Sequence, residues 1–267
     1  MGSGTTATAT LTVKASQISA SGTVTATYNG STAVTSLALN STGSTSGTTP
    51  SITALSNGAS YQQAFAPGGI LTIWGSQLAS ATQQSASIPL PLDASGVEVL
   101  IDGIAAPLYY VSPGLINVQI PYDATTGTAT LSVNNNGQIS SRTFTVTAQA
   151  PGIFIDQNGR VVPSSSASRG QEIAIYITGA GNVSPIVSTG AAPDSTTAVA
   201  SLPQAVQPVT VTVGGVNASI DFAGIPPGLV GVMQINFTVP QNVNPGVQPV
   251  IIKVGSTASA PATLTVN

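Results

Sequence analysis

Two stretches of this chain repeat one grammar roughly a hundred residues apart, and that order limits the possible folds more than any other feature. The first reads Gly69-Ile-Leu-Thr-Ile-Trp-Gly75, then Val97-Glu-Val-Leu-Ile-Asp-Gly103, then Ser112-Pro-Gly-Leu-Ile-Asn-Val-Gln-Ile-Pro121. The second reads Gly170-Gln-Glu-Ile-Ala-Ile-Tyr-Ile-Thr-Gly179, then Val209-Thr-Val-Thr-Val-Gly-Gly215, then Pro226-Pro-Gly-Leu, closing on Gln234-Ile-Asn-Phe-Thr-Val-Pro240. In each, a strand ends in Gly, a second strand enters a tight turn, and a Pro-Gly corner leads to an Ile-Asn strand closed by Pro. Self-similarity at this spacing predicts tandem modules, each with its own core.

The modules are built almost without ions. Charged residues make up 5% of the 267, against about a quarter in ordinary soluble proteins, and the net charge is −3. Hydrophobic residues reach 42% and are spread evenly, which argues against disorder. The surface is therefore coated in hydroxyls and amides, and little repulsion opposes association with neighbours. There is no Cys and no His, which excludes disulfides, thiolate chemistry and structural zinc. No apolar run approaches the roughly 18–20 residues of a membrane-spanning helix. Met1-Gly-Ser-Gly4 reads as an engineered leader. It fits the loose myristoylation pattern only formally, and no signal-peptide pattern follows it.

Helical periodicity is absent, and short β-branched runs punctuated by Gly, Pro and Asn replace it. The expected fold is all-β: two tandem immunoglobulin-like β-sandwiches preceded by a short β-rich N-terminal segment. Residues 1–50 form that segment with a Ser/Thr/Gly linker, either the tail of a truncated domain or a donor strand, residues 51–150 the first module and residues 151–267 the second. In the segment, Ala7, Ala9, Leu11 and Val13 alternate with Thr8, Thr10, Thr12 and Lys14, a period-two strand. Thr23–Tyr28 and Ala33–Leu39 are two further strands around the hairpin turn Tyr28-Asn29-Gly30-Ser31. In the first module strands are expected at Ile70–Trp74, Val97–Ile101, Pro107–Val111, Ile116–Ile120, Thr128–Val133 and Thr143–Thr147. Ala262–Val266 closes the second module, and its insertion between Gly179 and Val209 reads as a surface loop.

The set Ala59-Ser-Tyr61, Ala66-Pro-Gly68, Leu71-Thr-Ile-Trp-Gly75, Gly103 through Pro121 and Ala150-Pro-Gly-Ile-Phe154 resembles the Solibacter-type C-terminal domain. Gly215-Val-Asn-Ala-Ser-Ile, Phe222-Ala-Gly224, Pro227 through Gly231 and Gln234-Ile-Asn236 match its second half. The Val-Thr-Ile-x-Gly type of strand also makes each module similar to the IPT/TIG branch of immunoglobulin-like folds. The resemblance covers roughly residues 52–267. It implies secreted, surface-exposed immunoglobulin-like modules with no assigned activity.

Catalytic chemistry finds little to use. Without His or Cys there is no triad or dyad of the usual kinds, and the two lysines, Lys14 and Lys253, lie in different segments. The acids Asp93, Glu98, Asp102, Asp123, Asp156, Glu172, Asp194 and Asp221 are scattered singly, whereas glycoside hydrolysis needs a facing pair. The reading is therefore not an enzyme, with no catalytic residue, no cofactor and no metal. Asp156-Gln-Asn-Gly159 faintly resembles the start of a calcium loop, but a β-turn explains it without the ion. An intramolecular Lys–Asn isopeptide bond needs Lys, Asn and a buried acid on neighbouring strands. Lys253, Asn236 and Asp221 are such a set, although a lysine on an exposed edge strand is the plainer account. Five basic residues, Lys14, Arg142, Arg160, Arg169 and Lys253, cannot make a nucleic-acid stripe.

Interaction surfaces are the remaining candidates. Alternation puts Leu71 and Ile73 inside and Trp74 outside. Its counterpart in the second module reads as Thr178, so no repeated core role is expected. A contact with another domain or with the N-terminal segment is the first reading of Trp74, and a glycan platform the second. Tyr109 and Tyr110 are consecutive, so one should face in and the other out. The strand carrying Ala7, Ala9, Leu11 and Val13 is a candidate donor for β-strand addition, hence for filament assembly. The expected role is a structural or adhesive module of a secreted or cell-surface protein. Its expected partners are other immunoglobulin-like domains or copies of itself, with surface glycans second, and neither nucleic acid nor a membrane span.

Overall fold

A computed structural model describes residues 22–28, 31–37 and 49–267. Apart from one 3-10 turn at Val199–Ser201, every regular element among them is a strand. The chain divides into a compact unit at Met1–Gly47 and a larger one at Thr48–Asn267. In the first, β1 (Gly22–Tyr28) and β2 (Ser31–Leu37) form the antiparallel hairpin expected around Asn29-Gly30, with Tyr28 opposite Ser31. The strand expected at Thr5–Lys14, with Ala7, Ala9, Leu11 and Val13, lies outside the described residues.

The larger unit contains two β-sandwiches. In the first, one sheet joins β3 (Ser51–Asn57), β4 (Ile70–Ser76) and the two-residue β5 (Gln83–Gln84) with strands further along. The other begins with β6 (Val97–Ile101) and β7 (Ile104–Ala105). The chain returns through β8 (Leu108–Val111) and β9 (Leu115–Gln119), then closes with the long hairpin β10 (Gly127–Asn135) and β11 (Gln138–Val146). The sheet orders are β3-β4-β9-β8-β5 and β11-β10-β6-β7. Alternation packs the sheets together: Leu71, Ile73, Ile116 and Val118 from one meet Val97, Val99, Ile101 and Leu131 from the other, all fully buried. Phe65 and Phe144 meet edge-to-face with ring centroids 5.2 Å apart, which adds to this core.

The second sandwich repeats the plan through β12 (Gly152–Ile153), β13 (Ser166–Ala167), β14 (Glu172–Thr178), β15 (Val183–Ser184) and β16 (Gln204–Ala205). It continues with β17 (Val209–Val213), β18 (Val216–Asn217), β19 (Ser219–Gly224) and β20 (Val232–Thr238). The last strands are β21 (Gly246–Val254), β22 (Thr257–Ala258) and β23 (Ala262–Val266). One sheet runs β12-β14-β20-β19, and the other is built on β13-β23-β21-β17-β18. Phe237 is the largest of the fully buried side chains.

Turn chemistry fixes the registers. Asn136-Gly137, Asp102-Gly103 and Gly214-Gly215 all have positive φ at both central positions, the type I′ geometry that suits twisted hairpins. Asp102 also caps its neighbour, its Oδ1 accepting from the Thr130 amide at 2.8 Å. Glycine has a different task at position 231. Gly231 has φ 59°, and a Cβ there would run into the carbonyl of Gly68 and the side chain of Gln119, both in the first sandwich. The same φ sign occurs at Gly215 (80°), where a Cβ meets nothing. Gly215→Ala should therefore cost about 1 kcal/mol of backbone strain. Gly231→Ala should cost about 2–4 kcal/mol, because backbone must also move. Guanidinium unfolding of the two variants checks this, and equal losses would show that the contact with the first sandwich is unimportant.

Candidate functional site

The strand ends that meet between the sandwiches are polar and buried. β4 begins where β14 ends, and the Ile70 amide donates to Thr178 Oγ1 at 2.8 Å. Thr178 in turn donates to the Gly231 carbonyl at 2.7 Å and is 1% exposed. Gln119, at the end of β9 and fully buried, uses both ends of its amide. Nε2 donates to Gly68 O at 3.2 Å, and Oε1 accepts from the Gly190 amide at 2.6 Å. Asn57 does similar work at the end of β3. Its Oδ1 accepts from the Ala59 and Ser60 amides, and its Nδ2 donates to the carbonyls of Ala64 and Ala150. Among the described residues no buried side-chain polar atom is left without a partner.

The segment between Gly179 and Val209 is therefore more than the expected surface loop. Ile186 and Val199 are exposed, but Gly190 is buried against the first sandwich. Leu90 N donates to Gly190 O at 2.8 Å, and Tyr122 N donates to Thr189 Oγ1 at 3.1 Å. The insertion straps the second sandwich onto the first. Its small residues allow this, because the backbone must pass close to Pro107 and Gln119.

The tyrosines depart from simple alternation as well. A bulge between Leu108 and Tyr110 breaks the β8 register against β9, and both Tyr109 and Tyr110 are half-buried. The bulge turns Tyr109 to the junction, where its hydroxyl donates to the Val230 carbonyl. Tyr110 stays in the ladder opposite Asn117 and Gln84.

Trp74 lies four residues along β4 from the junction, on the outer face of its sheet, 37% exposed. Its Nε1 donates to Ser56 Oγ at 2.9 Å. Its counterpart in the second sandwich is not Thr178. Asn117 faces Thr72 in one sheet, and Asn236 faces Ala174 in the other, so register places Tyr176 where Trp74 stands. Matching the closing glycines misaligns the strands because Gly75 lies within β4, whereas Gly179 follows the last residue of β14.

The remaining candidates are accounted for by local partners. Asp156 Oδ1 accepts from the Asn158 and Arg160 amides, and its Oδ2 pairs with the Arg160 guanidinium at 2.8 Å. These bonds hold its carboxyl below the usual range, the Arg160 backbone bond first among them, so the turn's charge is already balanced. Lys253 is exposed between buried Ile252 and Val254, whereas Asn236 lies between buried Ile235 and Phe237 of the opposite sheet. Both point away from the shared core, which rules out the isopeptide geometry. Asp221 accepts from Thr238 Oγ1 on the same outer surface as Asn236. No cluster of three acids or other metal-binding side chains occurs among the described residues.

Residues 50–148 match the IPT/TIG domain family. No curated protein matches the chain. Among solved structures, the chain is similar to a Bacteroides ovatus SGBP-B in complex with a mixed-linkage heptasaccharide. That match has 14% identity and a TM-score of 0.35, covering 79% of this chain and 45% of the other. It is also similar to the I9–I11 tandem of titin, at 16% identity and a TM-score of 0.22, covering 92% of this chain and 73% of that one. A third match is the plexin A4 extracellular region, at 14% identity and a TM-score of 0.28, covering 86% of this chain and 17% of that one. The chain thus spans less than half the length of the SGBP-B protein.

Two phenols report on the junction. Burial pushes Tyr122 up to about 12 and Tyr109 further still, the nearby Tyr122 adding to the latter. In the unfolded chain both ionise near the ordinary 10.0. The stability they contribute is therefore complete below pH 10 and is lost as pH rises from 10 towards 12. Ultraviolet titration should show two tyrosinate phases, the later one coinciding with loss of the β circular dichroism. One phase near pH 10 with the fold intact would contradict the buried junction.

Proposed function

We propose that this chain is a non-catalytic structural and adhesive module of an extracellular protein, acting as a stiff two-sandwich spacer. The resemblance of the paired motifs across residues 52–267 to Solibacter-type C-terminal domains supports a secreted setting. Among the described residues no helix is long and apolar enough to cross a membrane.

One observation carries the spacer reading: the buried polar junction lies on the path of force. β4 starts at the junction and its partner β3 begins opposite Ser76, so the chain enters the first sandwich at the far end. Thr257, Ala258 and Ala260 share a cleft with Thr147 and Gln149 at the junction, and β23 then runs away from it. Tension applied through the two ends of residues 49–267 loads the bonds of Gln119, Thr178 and Tyr109 alongside the covalent connection between β11 and β12. Directional hydrogen bonds resist bending in a way that an apolar contact alone does not, since each is lost when its geometry opens.

Single-molecule stretching of the full chain tests this reading. A coupled pair should yield in one event releasing roughly 70 nm, the extended length of about 220 residues. Two independent events of roughly 35 nm would show that the sandwiches act as separate beads and would sink the stiff-spacer reading. Gln119→Ala should convert the first pattern into the second, because it strands the buried Gly190 amide and Gly68 carbonyl, at a cost of about 1–3 kcal/mol.

A second reading is self-assembly by strand addition. β19 is the edge of its sheet, beside an open groove of about 590 Å3 rimmed by exposed Val199 and Val206. In this reading the alternating sequence of Ala7, Ala9, Leu11 and Val13 supplies the donor. A full chain that stays monomeric at all concentrations in light scattering would remove this reading.

A further inference from the structure

The outer face of the β3-β4-β9-β8-β5 sheet is chemically unlike the rest of the surface. Its five strands contain no charged residue at all. The first sandwich's one arginine, Arg142, is turned onto the carbonyls of Ile52 and Thr53. The register lines Ser56, Thr72, Asn117, Tyr110 and Gln84 into one row across the sheet, and Trp74 stands in the next row beside Leu115. Beyond the row, towards the junction, the strap at Gly190 closes the face over Gln119. The floor is therefore about 13 Å long between Gln119 and Leu115 and about 19 Å wide over five strands.

Three details prepare this floor for a ligand. The bond from Trp74 Nε1 to Ser56 Oγ satisfies the indole's polar edge inside the protein, and Ser56 is only 6% exposed. That anchors the ring against the sheet and leaves apolar ring surface to the solvent. Thr72 Oγ1 donates to Asn117 Oδ1 at 2.8 Å, which fixes the amide and leaves its Nδ2 hydrogens to donate outward. Gln84 adds an exposed amide in the same row. The second sandwich offers a contrast. There Gln234 donates to Asn236, Asn236 donates to Glu172, and two carboxylates, Glu172 and Asp221, edge the face. Its amides are spent on each other, and Tyr176 has no fixed donor beside it.

We propose that the Trp74–Asn117 face binds a neutral, unbranched glycan, stacking a pyranose ring on Trp74 while Asn117 and Gln84 bond ring hydroxyls. An uncharged floor gives an anionic chain no countercharge, and a hydroxyl-rich neutral chain matches its amides. The floor is flat and walled at only one end, so the flat β-linked ribbon fits it better than a coiled chain. The proposal is independent of the spacer reading, because it concerns a face that tension does not cross.

Trp74 is the chain's one tryptophan, so its fluorescence reports on this site alone. In the full chain, cellohexaose should shift that emission saturably, and maltohexaose should do so more weakly. Asn117→Ala should raise the dissociation constant about tenfold, and calorimetry should show a loss at least as large for Trp74→Ala. Tyr176→Ala, on the equivalent position of the second sandwich, should change nothing. Thermal melts and circular dichroism of each variant separate lost binding from lost fold. Absence of both a fluorescence change and binding heat at millimolar cellohexaose would overturn the proposal. So would failure of iodide to quench Trp74 in the full chain, since residues 1–47 or a second copy would then cover the face. Stronger binding of maltohexaose, or binding lost in Tyr176→Ala but kept in Asn117→Ala, would overturn it as well.

Discussion

The fully buried side-chain amide of Gln119 is the interaction on which the arrangement of the two sandwiches depends. It satisfies a carbonyl of its own module and an amide of the insertion from the other, so neither partner is complete without the docked pair. Its net worth as two neutral hydrogen bonds is modest, about 1 kcal/mol each. The larger quantity is the penalty for leaving those groups buried and unpaired, which excludes other relative orientations. Thr178, Tyr109 and Asn57 extend the same logic around the junction. Apolar cores hold each sandwich together, while polar complementarity selects how the two meet.

That division explains why two copies of one plan differ where they do. The β14–β20 ladder runs two pairs further than the β4–β9 ladder, because the last residues of β14 stay paired as they enter the junction. Gly231 opens β20 at the same place, where any side chain would strike Gly68 and Gln119. The connection after Gly179 is longer than the corresponding one between β4 and β6 in the first sandwich, and it is the part that reaches across to Leu90. The first sandwich keeps a neutral outer face with an anchored indole, whereas the second ties up its equivalent amides and borders them with carboxylates.

Much of the sheet plan was legible in the residues. β-branched alternation with I′ turn pairs located Val97–Ile101 and Ala262–Val266 to the residue, because pleat, turn twist and burial all act locally. The outward side of Trp74 followed from the same alternation. The junction was not legible, because a buried Gln119 or Asn57 looks like any solvated amide until its partners, tens of residues away, are known. The clue available was Gln119's place in an otherwise apolar run, Val-Gln-Ile-Pro. Tyr109 defeated the in–out rule because a bulge resets the pleat, and nothing in Leu-Tyr-Tyr-Val announces a bulge. The match of Trp74 to Thr178 failed because conspicuous glycines are a poorer guide to register than the strands they end.

The shared insertion contact has a consequence for how such chains can be lengthened over evolution. A gene segment encoding either sandwich alone would carry half of each hydrogen-bonded set, leaving Gln119 or the Gly190 strap facing water. Recombination that copies or transplants a single module is therefore penalised, whereas copying both together preserves every partner. The heritable building block is the pair, and arrays built from it should grow in steps of two.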